Sequence, residues 1–267
     1  MKNNYKLGII GCGNMAEAIL GGAIDKKVVE SYDVLVFDTD PDKAMNFAEK
    51  YDVCLASSNS DVSDRADYVL IAVKPQSFST LSPEIQNARF IISIMAGVKI
   101  NTIKSLLPEL KSLVRIMPNA PVRVNLGMSA LSYDNASVED VDFINKLFSS
   151  IGKTIEVDED KLDAVTAISG SGPAYVYYFI KSMIDAGVKV GLTYEESKIL
   201  TYQTFVGATE LSSTSQFDLD TLIDMVCSKG GTTIEAIKTF KENNADKIIE
   251  KAIEKCYSRS IELSEGK

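Results

Sequence analysis

The sequence predicts an α/β domain built on a mostly parallel sheet, followed by an all-helical domain. Three observations lead there. Short apolar runs alternate with amphipathic stretches through the first half. A Gly-x-Gly loop separates the first run from the first amphipathic stretch, as in a strand-turn-helix unit. Beyond about residue 160 the strand pattern stops and only helical periodicity remains.

In chain order, KLGIIG reads as a strand, the glycine loop follows, and 14–25 is an amphipathic helix. DVLVFD is the next strand, and Asp40-Pro41 opens the helix behind it. A short VCLA strand precedes DYVLIAV and RFIISIMAG, whose continuous apolar character fits strands covered on both faces. A helix-like segment around 101–107 comes before LVRIMP and GMSALS. Strands joined through helices need crossover connections, which makes the sheet mostly parallel.

The boundary falls near 155–162, where the acidic VDEDKLD intervenes. DAVTAISGSGPAYVYYFIKSMIDAGVKVG reads as a helix, a Gly-Ser break and a long helix with Pro173 near its first turn. Thr193 and Glu196 have capping-box spacing at the start of the next helix. DLDTLIDMVCSKGG, TTIEAIKTFKENN and a final polar-apolar helix complete the chain.

Composition narrows the function. A net charge of −9 without a basic stripe argues against nucleic acid as partner. The longest apolar runs are too short for a membrane span and the N-terminus lacks a signal layout, so a cytoplasmic protein is expected. Cys12, Cys54, Cys227 and Cys256 are far apart in sequence, which suits reduced thiols and no metal. There is no histidine. Any proton transfer therefore falls to Lys, Tyr, Asp, Glu, Cys, a hydroxyl, water or the substrate, which removes His-based dehydrogenases and Ser–His hydrolases.

Two stretches carry anion-binding chemistry. Gly11-Cys12-Gly13-Asn14-Met15-Ala16 lies between strand and helix, with Asp38 at the end of the second strand. This is the Rossmann-type dinucleotide signature: Gly11 permits the turn, and Gly13 lets N–H groups approach a pyrophosphate at the helix N-terminus. Asp38 can accept hydrogen bonds from both ribose hydroxyls and repel a 2′-phosphate, so NADH is expected over NADPH; its other reading is as part of the next helix's cap. Lys74-Pro75, at the exit of the AVKPQ strand, would flank the cofactor crevice. The second stretch, VCSKGGTTIEAI at 226–237, sets glycines and hydroxyls before a helix.

Five stretches, GCGNMAEAI, AVKPQ, RIMPNAP (115–121), DAVTAISGSGPAY (163–175) and SKGGTTIEA (228–236), resemble in order the motifs of the pyrroline-5-carboxylate reductase family. The resemblance spans nearly the whole chain; Lys229 departs from it, standing where the family usually has proline. It implies a Rossmann domain over 1–158, a helical substrate-binding and dimerisation domain over 159–267, and a homodimer or larger assembly of dimers. It also implies NAD(P)H-dependent reduction of 1-pyrroline-5-carboxylate to L-proline. By that resemblance Gly11, Gly13, Asn14, Met15, Asn59, Ala72, Val73, Lys74 and Pro75 line the cofactor together with Asp38. Val226, Ser228, Gly230, Gly231 and Thr232 hold the small cyclic imino acid, and Thr233 bonds its ring nitrogen.

The missing histidine suits an imine. A ketone becomes an alkoxide on reduction and needs a proton donor, whereas a cyclic imine is basic enough to arrive protonated. SGSGPAY serves equally as a helix break and as a turn facing the reacting groups, and Tyr175, Tyr177 and Tyr178 read as packing. A related reductase using Lys181 as acid/base, or an NAD(H) sensor without turnover, are the rival readings.

Overall fold

The structure of the protein is a computed structural model that describes residues 5–265. It packs as two compact units. One runs to Ser171 and regains the chain at Tyr257; the other is Gly172–Cys256.

The first unit is an α/β sandwich. Its elements are β1 (Tyr5–Ile10), α1 (Asn14–Asp25), β2 (Val34–Phe37), α2 (Pro41–Tyr51), β3 (Cys54–Leu55), α3 (Asn59–Arg65), β4 (Ala66–Ile71) and α4 (Phe78–Leu81). They continue as β5 (Phe90–Ser93), α5 (Ile100–Leu106), β6 (Ser112–Pro118), β7 (Gly127–Asp134), α6 (Val138–Ser149), β8 (Gly152–Glu156) and α7 (Leu162–Val165). The eight strands form one sheet in the order β3-β2-β1-β4-β5-β6-β7-β8. The first six are parallel; β7 runs antiparallel to β6, and β8 parallel to β7.

Strand alternation divides the core into two layers. Leu7, Ile9, Val34, Val36 and Leu70 pack under α1 and α6, against Ile19, Leu20, Ile144 and Leu147. Leu35, Val69, Ile71 and Ile91 face the other way, against Val62 of α3, Phe78 of α4 and Ile103 of α5. The continuous apolar runs of β4 and β5 are thus buried on both faces, as the sequence pattern requires. Two elements that the sequence pattern does not announce, α6 and β8, widen the sheet at its far edge. β8 is GKTIE, an edge strand with no apolar run to read, and its Ile155 is exposed.

Nor does the chain break at Gly-Ser after α7. It widens: the Ser171 N–H bonds the Thr166 carbonyl at 2.8 Å, five residues back, making a π turn over Thr166–Gly170. α7 and this turn pack with the sheet, although their sequence pattern groups them with the helical half.

The second unit holds α8 (Gly172–Lys189), α9 (Tyr194–Thr214), α10 (Leu219–Val226), α11 (Thr232–Glu242) and most of α12 (Ala245–Ser264). Pro173 stands in the first turn of α8. Thr193 and Glu196 close a reciprocal capping box on α9. Many apolar side chains on α8 and α9 are exposed, Tyr178 at 69%, Ile199 at 66% and Leu200 at 56% among them. No helix among the described residues is long and apolar enough to cross a membrane.

Candidate active site

The first glycine loop is held from two sides. Gly11 has φ 98°, and a Cβ there would stand 2.8 Å from the Ala72 carbonyl oxygen. Its N–H bonds Phe37 O at 2.9 Å, while Ala72 N–H bonds Ile10 O at 2.8 Å, so the ends of β1, β2 and β4 are laced together. Asp38 adds a stitch: Oδ2 accepts from Cys12 N–H at 2.8 Å and Oδ1 from Asp40 N–H at 2.9 Å. Burial, reinforced by the Asp38 charge, pushes the Cys12 thiol up to about 12, so it stays protonated at neutral pH.

Gly13 is the N-cap of α1, extended at φ −87° and ψ 176°, and no side chain caps the helix. Its first-turn N–H groups have no intrahelical acceptor. A Cβ on Gly13 would meet nothing within 4 Å. By contrast, Asp40, Ser58, Ser137, Thr193 and Asp218 each spend a side-chain oxygen capping α2, α3, α6, α9 and α10.

Beside the α1 N-terminus lies a cavity of about 560 Å³. Of the residues expected at a cofactor, Gly11, Gly13, Asp38, Asn59, Ala72, Val73 and Lys74 form its wall. Asn14, Met15 and Pro75 lie next in chain to that wall; Met15 packs partly against the core. Thr39, Lys43, Gln76, Ser77, Thr80, Leu81 and Glu84 also line it, and none of these seven is among the residues expected from sequence. They come from the segments that follow β2 and β4, next to residues that are. An uncapped helix start, an open space over Gly13 and a buried Asn59 oxygen without a partner fit a dinucleotide with a pyrophosphate and an adenosine half.

The second glycine loop lies in the helical unit. α10 ends at Val226, and Cys227 N–H still reaches the Ile223 and Asp224 carbonyls at 3.1 Å. Gly230 takes φ 73°, and Gly231 N–H bonds Ser228 O at 2.9 Å to close a tight turn. α11 then starts at Thr232 behind Gly231, extended at φ −82° and ψ 173°, again with no side-chain cap. Val226, Ser228, Gly230, Gly231, Thr232 and Thr233 are thereby gathered into one turn at an open helix N-terminus. Thr233 is half-buried and Thr232 exposed, as is Lys229.

Two further motifs meet in the first unit. Asn119 of RIMPNAP donates from Nδ2 to Ser169 Oγ at 3.2 Å in the π turn and accepts Met128 N–H at 2.9 Å. Lys181, the acid/base of the rival reading, is paired with Asp185 at 2.5 Å, and that hydrogen bond raises its pKa. A lysine held more firmly protonated is a poorer proton donor, which weighs against that role.

Comparison with known proteins finds matches in both halves of the chain. The pyrroline-5-carboxylate reductase dimerisation model matches residues 159–263, and the model for NADP oxidoreductase, coenzyme F420-dependent, matches 6–97. The chain is 34% identical to the pyrroline-5-carboxylate reductase of Escherichia coli, covering 98% of this chain and 99% of the relative. It is 36% identical to that of Haemophilus influenzae, covering 96% and 97%. Among solved structures, the Coxiella burnetii pyrroline-5-carboxylate reductase aligns with a TM-score of 0.90 at 30% identity, over 98% of this chain and 99% of that one. The Plasmodium falciparum pyrroline carboxylate reductase with NADP bound gives 0.88 at 30% identity, over 99% and 100%.

Proposed function

The chain belongs to the pyrroline-5-carboxylate reductase family, and from that premise we propose that it reduces 1-pyrroline-5-carboxylate to L-proline with NAD(P)H. The observation that carries the reading is the pair of glycine-capped helix starts, at α1 and α11, that no side chain closes. One suits the cofactor pyrophosphate and the other a small carboxylate. When bound, the dihydronicotinamide supplies a hydride to the imine carbon. The chain's own residues then have only to position. First-turn N–H groups of α11 hold the carboxylate, and the Thr233 hydroxyl orients the ring nitrogen. The iminium carries its proton into the site, so hydride addition gives the amine without a protein acid, in keeping with a chain that has no histidine.

Residues 159–267 are proposed as the substrate-binding and dimerisation region, and a homodimer as the smallest working unit. The exposed apolar faces of α8 and α9 support this, since a surface of that kind is normally covered. Asp38 favours NADH: a 2′-phosphate would meet a carboxylate already fixed in place by two backbone N–H groups. The test is dihydronicotinamide oxidation with 1-pyrroline-5-carboxylate, a 2-ketoacid and a six-membered cyclic imino acid. Rapid turnover of the five-membered imine alone supports the reading. Turnover of the ketoacid alone overturns it.

A further inference from the structure

Asn59 is buried to 6% exposure yet forms part of the wall of the cavity beside α1. Its Nδ2 donates to Glu84 Oε2 at 3.0 Å, while its Oδ1 is buried without a hydrogen-bond partner. Asn59 opens α3 directly after the Ser58 cap, and Glu84 comes from the short turn Ser82–Ile85 that packs on α3. The Glu84 carboxylate can only accept, so it dictates which end of the amide faces it: a flipped Asn59 would set two acceptors against each other. A buried acceptor with no donor is uncommon in a folded chain and calls for a use.

Resting on the cofactor reading above, we propose that Glu84 is a positioning residue for the dinucleotide: it fixes the Asn59 amide so that Oδ1 receives a neutral donor from the adenosine half. Two groups there offer such a donor, a ribose hydroxyl and the adenine amino group. Glu84 need not touch the cofactor. Nor is it required to fasten α3 to the following segment, because Asn87 Nδ2 bonds Asp64 Oδ1 at 2.8 Å and ties the same elements elsewhere.

The test is the dissociation constant of NADH, read from its fluorescence in the full-length protein without substrate. Glu84→Ala weakens binding about tenfold, the value of one hydrogen bond of ordinary strength. Glu84→Gln, which can still accept from Asn59 through its amide oxygen, stays within about threefold of wild type. The double variant Glu84→Ala/Asn59→Ala binds no more weakly than Asn59→Ala alone. Asn87→Ala, which cuts only the structural tie, leaves the constant in place. The hypoxanthine analogue of NADH separates the two donors: sensitivity to Asn59→Ala persists with it if a ribose hydroxyl is bound and disappears if the adenine amino group is. NADH binding unaltered by Glu84→Ala, or additive losses in the double variant, overturns the proposal. If Glu84→Ala does not fold, wild-type affinity in Asn59→Ala overturns it instead. A wild-type protein that binds neither NADH nor NADPH sinks the cofactor reading itself, a distinct result.

Discussion

The starts of α1 and α11 are built alike and supported differently. Each has a glycine at positive φ shortly before the helix, Gly11 at 98° and Gly230 at 73°, and each has an extended glycine as N-cap. Around α1, three strand ends and Asp38 hold the loop by hydrogen bonds, and a Cβ on Gly11 would press on the backbone of Ala72. Around α11, an added Cβ on Gly230 would meet nothing within 4 Å, and the loop stands mostly exposed. The proposed cofactor end is thus prebuilt by the sheet, and the proposed substrate end is a light turn on a helical scaffold. The two should break in different ways.

Gly11→Ala is expected to have the largest effect. The new methyl would both strain φ and press on the Ala72 carbonyl, at a cost of about 1–3 kcal/mol or more. Cofactor affinity should fall at least a hundredfold in a fluorescence titration, with a lower melting temperature. Gly230→Ala has open space and should cost only about 1 kcal/mol of stability. Its loss should appear in the substrate KM, with cofactor binding retained. Equal cofactor losses in the two variants would erase the contrast.

Thr233→Ala is next: turnover should drop by about one to two orders of magnitude, as for one hydrogen bond lost in the transition state, while the cofactor constant holds. A wild-type rate removes Thr233 from the site. Asp38→Ser tests the other loop. It removes the Cys12 and Asp40 stitches along with the charge, so NADH affinity should fall and the preference for NADH over NADPH should shrink about tenfold. An unchanged preference would leave Asp38 as a loop fastener only. The smallest effect belongs to Lys181→Met, which should keep steady-state kcat within about twofold, because that side chain is largely exposed and spends its ammonium on Asp185. A hundredfold loss would bring the lysine mechanism back.

Glycine makes both loops legible in the sequence, because few residues accept those φ values, and at the first loop the pattern strand-glycine-helix leaves little choice. The same holds for caps: Asp40-Pro41 and the Thr193/Glu196 pair stand where their spacing says. The rest of the cofactor wall is not legible in this way. Thr39, Ser77, Thr80 and Glu84 are polar residues of the kind that fill any exposed segment, and only the placing of β2 and β4 on either side of β1 brings them to one cavity. β8 lacks an apolar run, so its place in the sheet comes from pairing with β7 rather than from its own pattern. The π turn is hidden for a related reason. TAISG has ordinary helical composition, and its extra residue shows only in the hydrogen bond from Ser171 to Thr166.

Central to the proposed chemistry is the open N-terminus of α11 as the grip on a carboxylate. The most direct measurement compares kcat/KM for 1-pyrroline-5-carboxylate and for 1-pyrroline, which lacks the carboxylate, under saturating NADH. A preference of about a hundredfold or more for the carboxylate is predicted, from charge-assisted bonds to first-turn N–H groups. Equal use of the two imines would contradict it and leave the second glycine loop without its ligand.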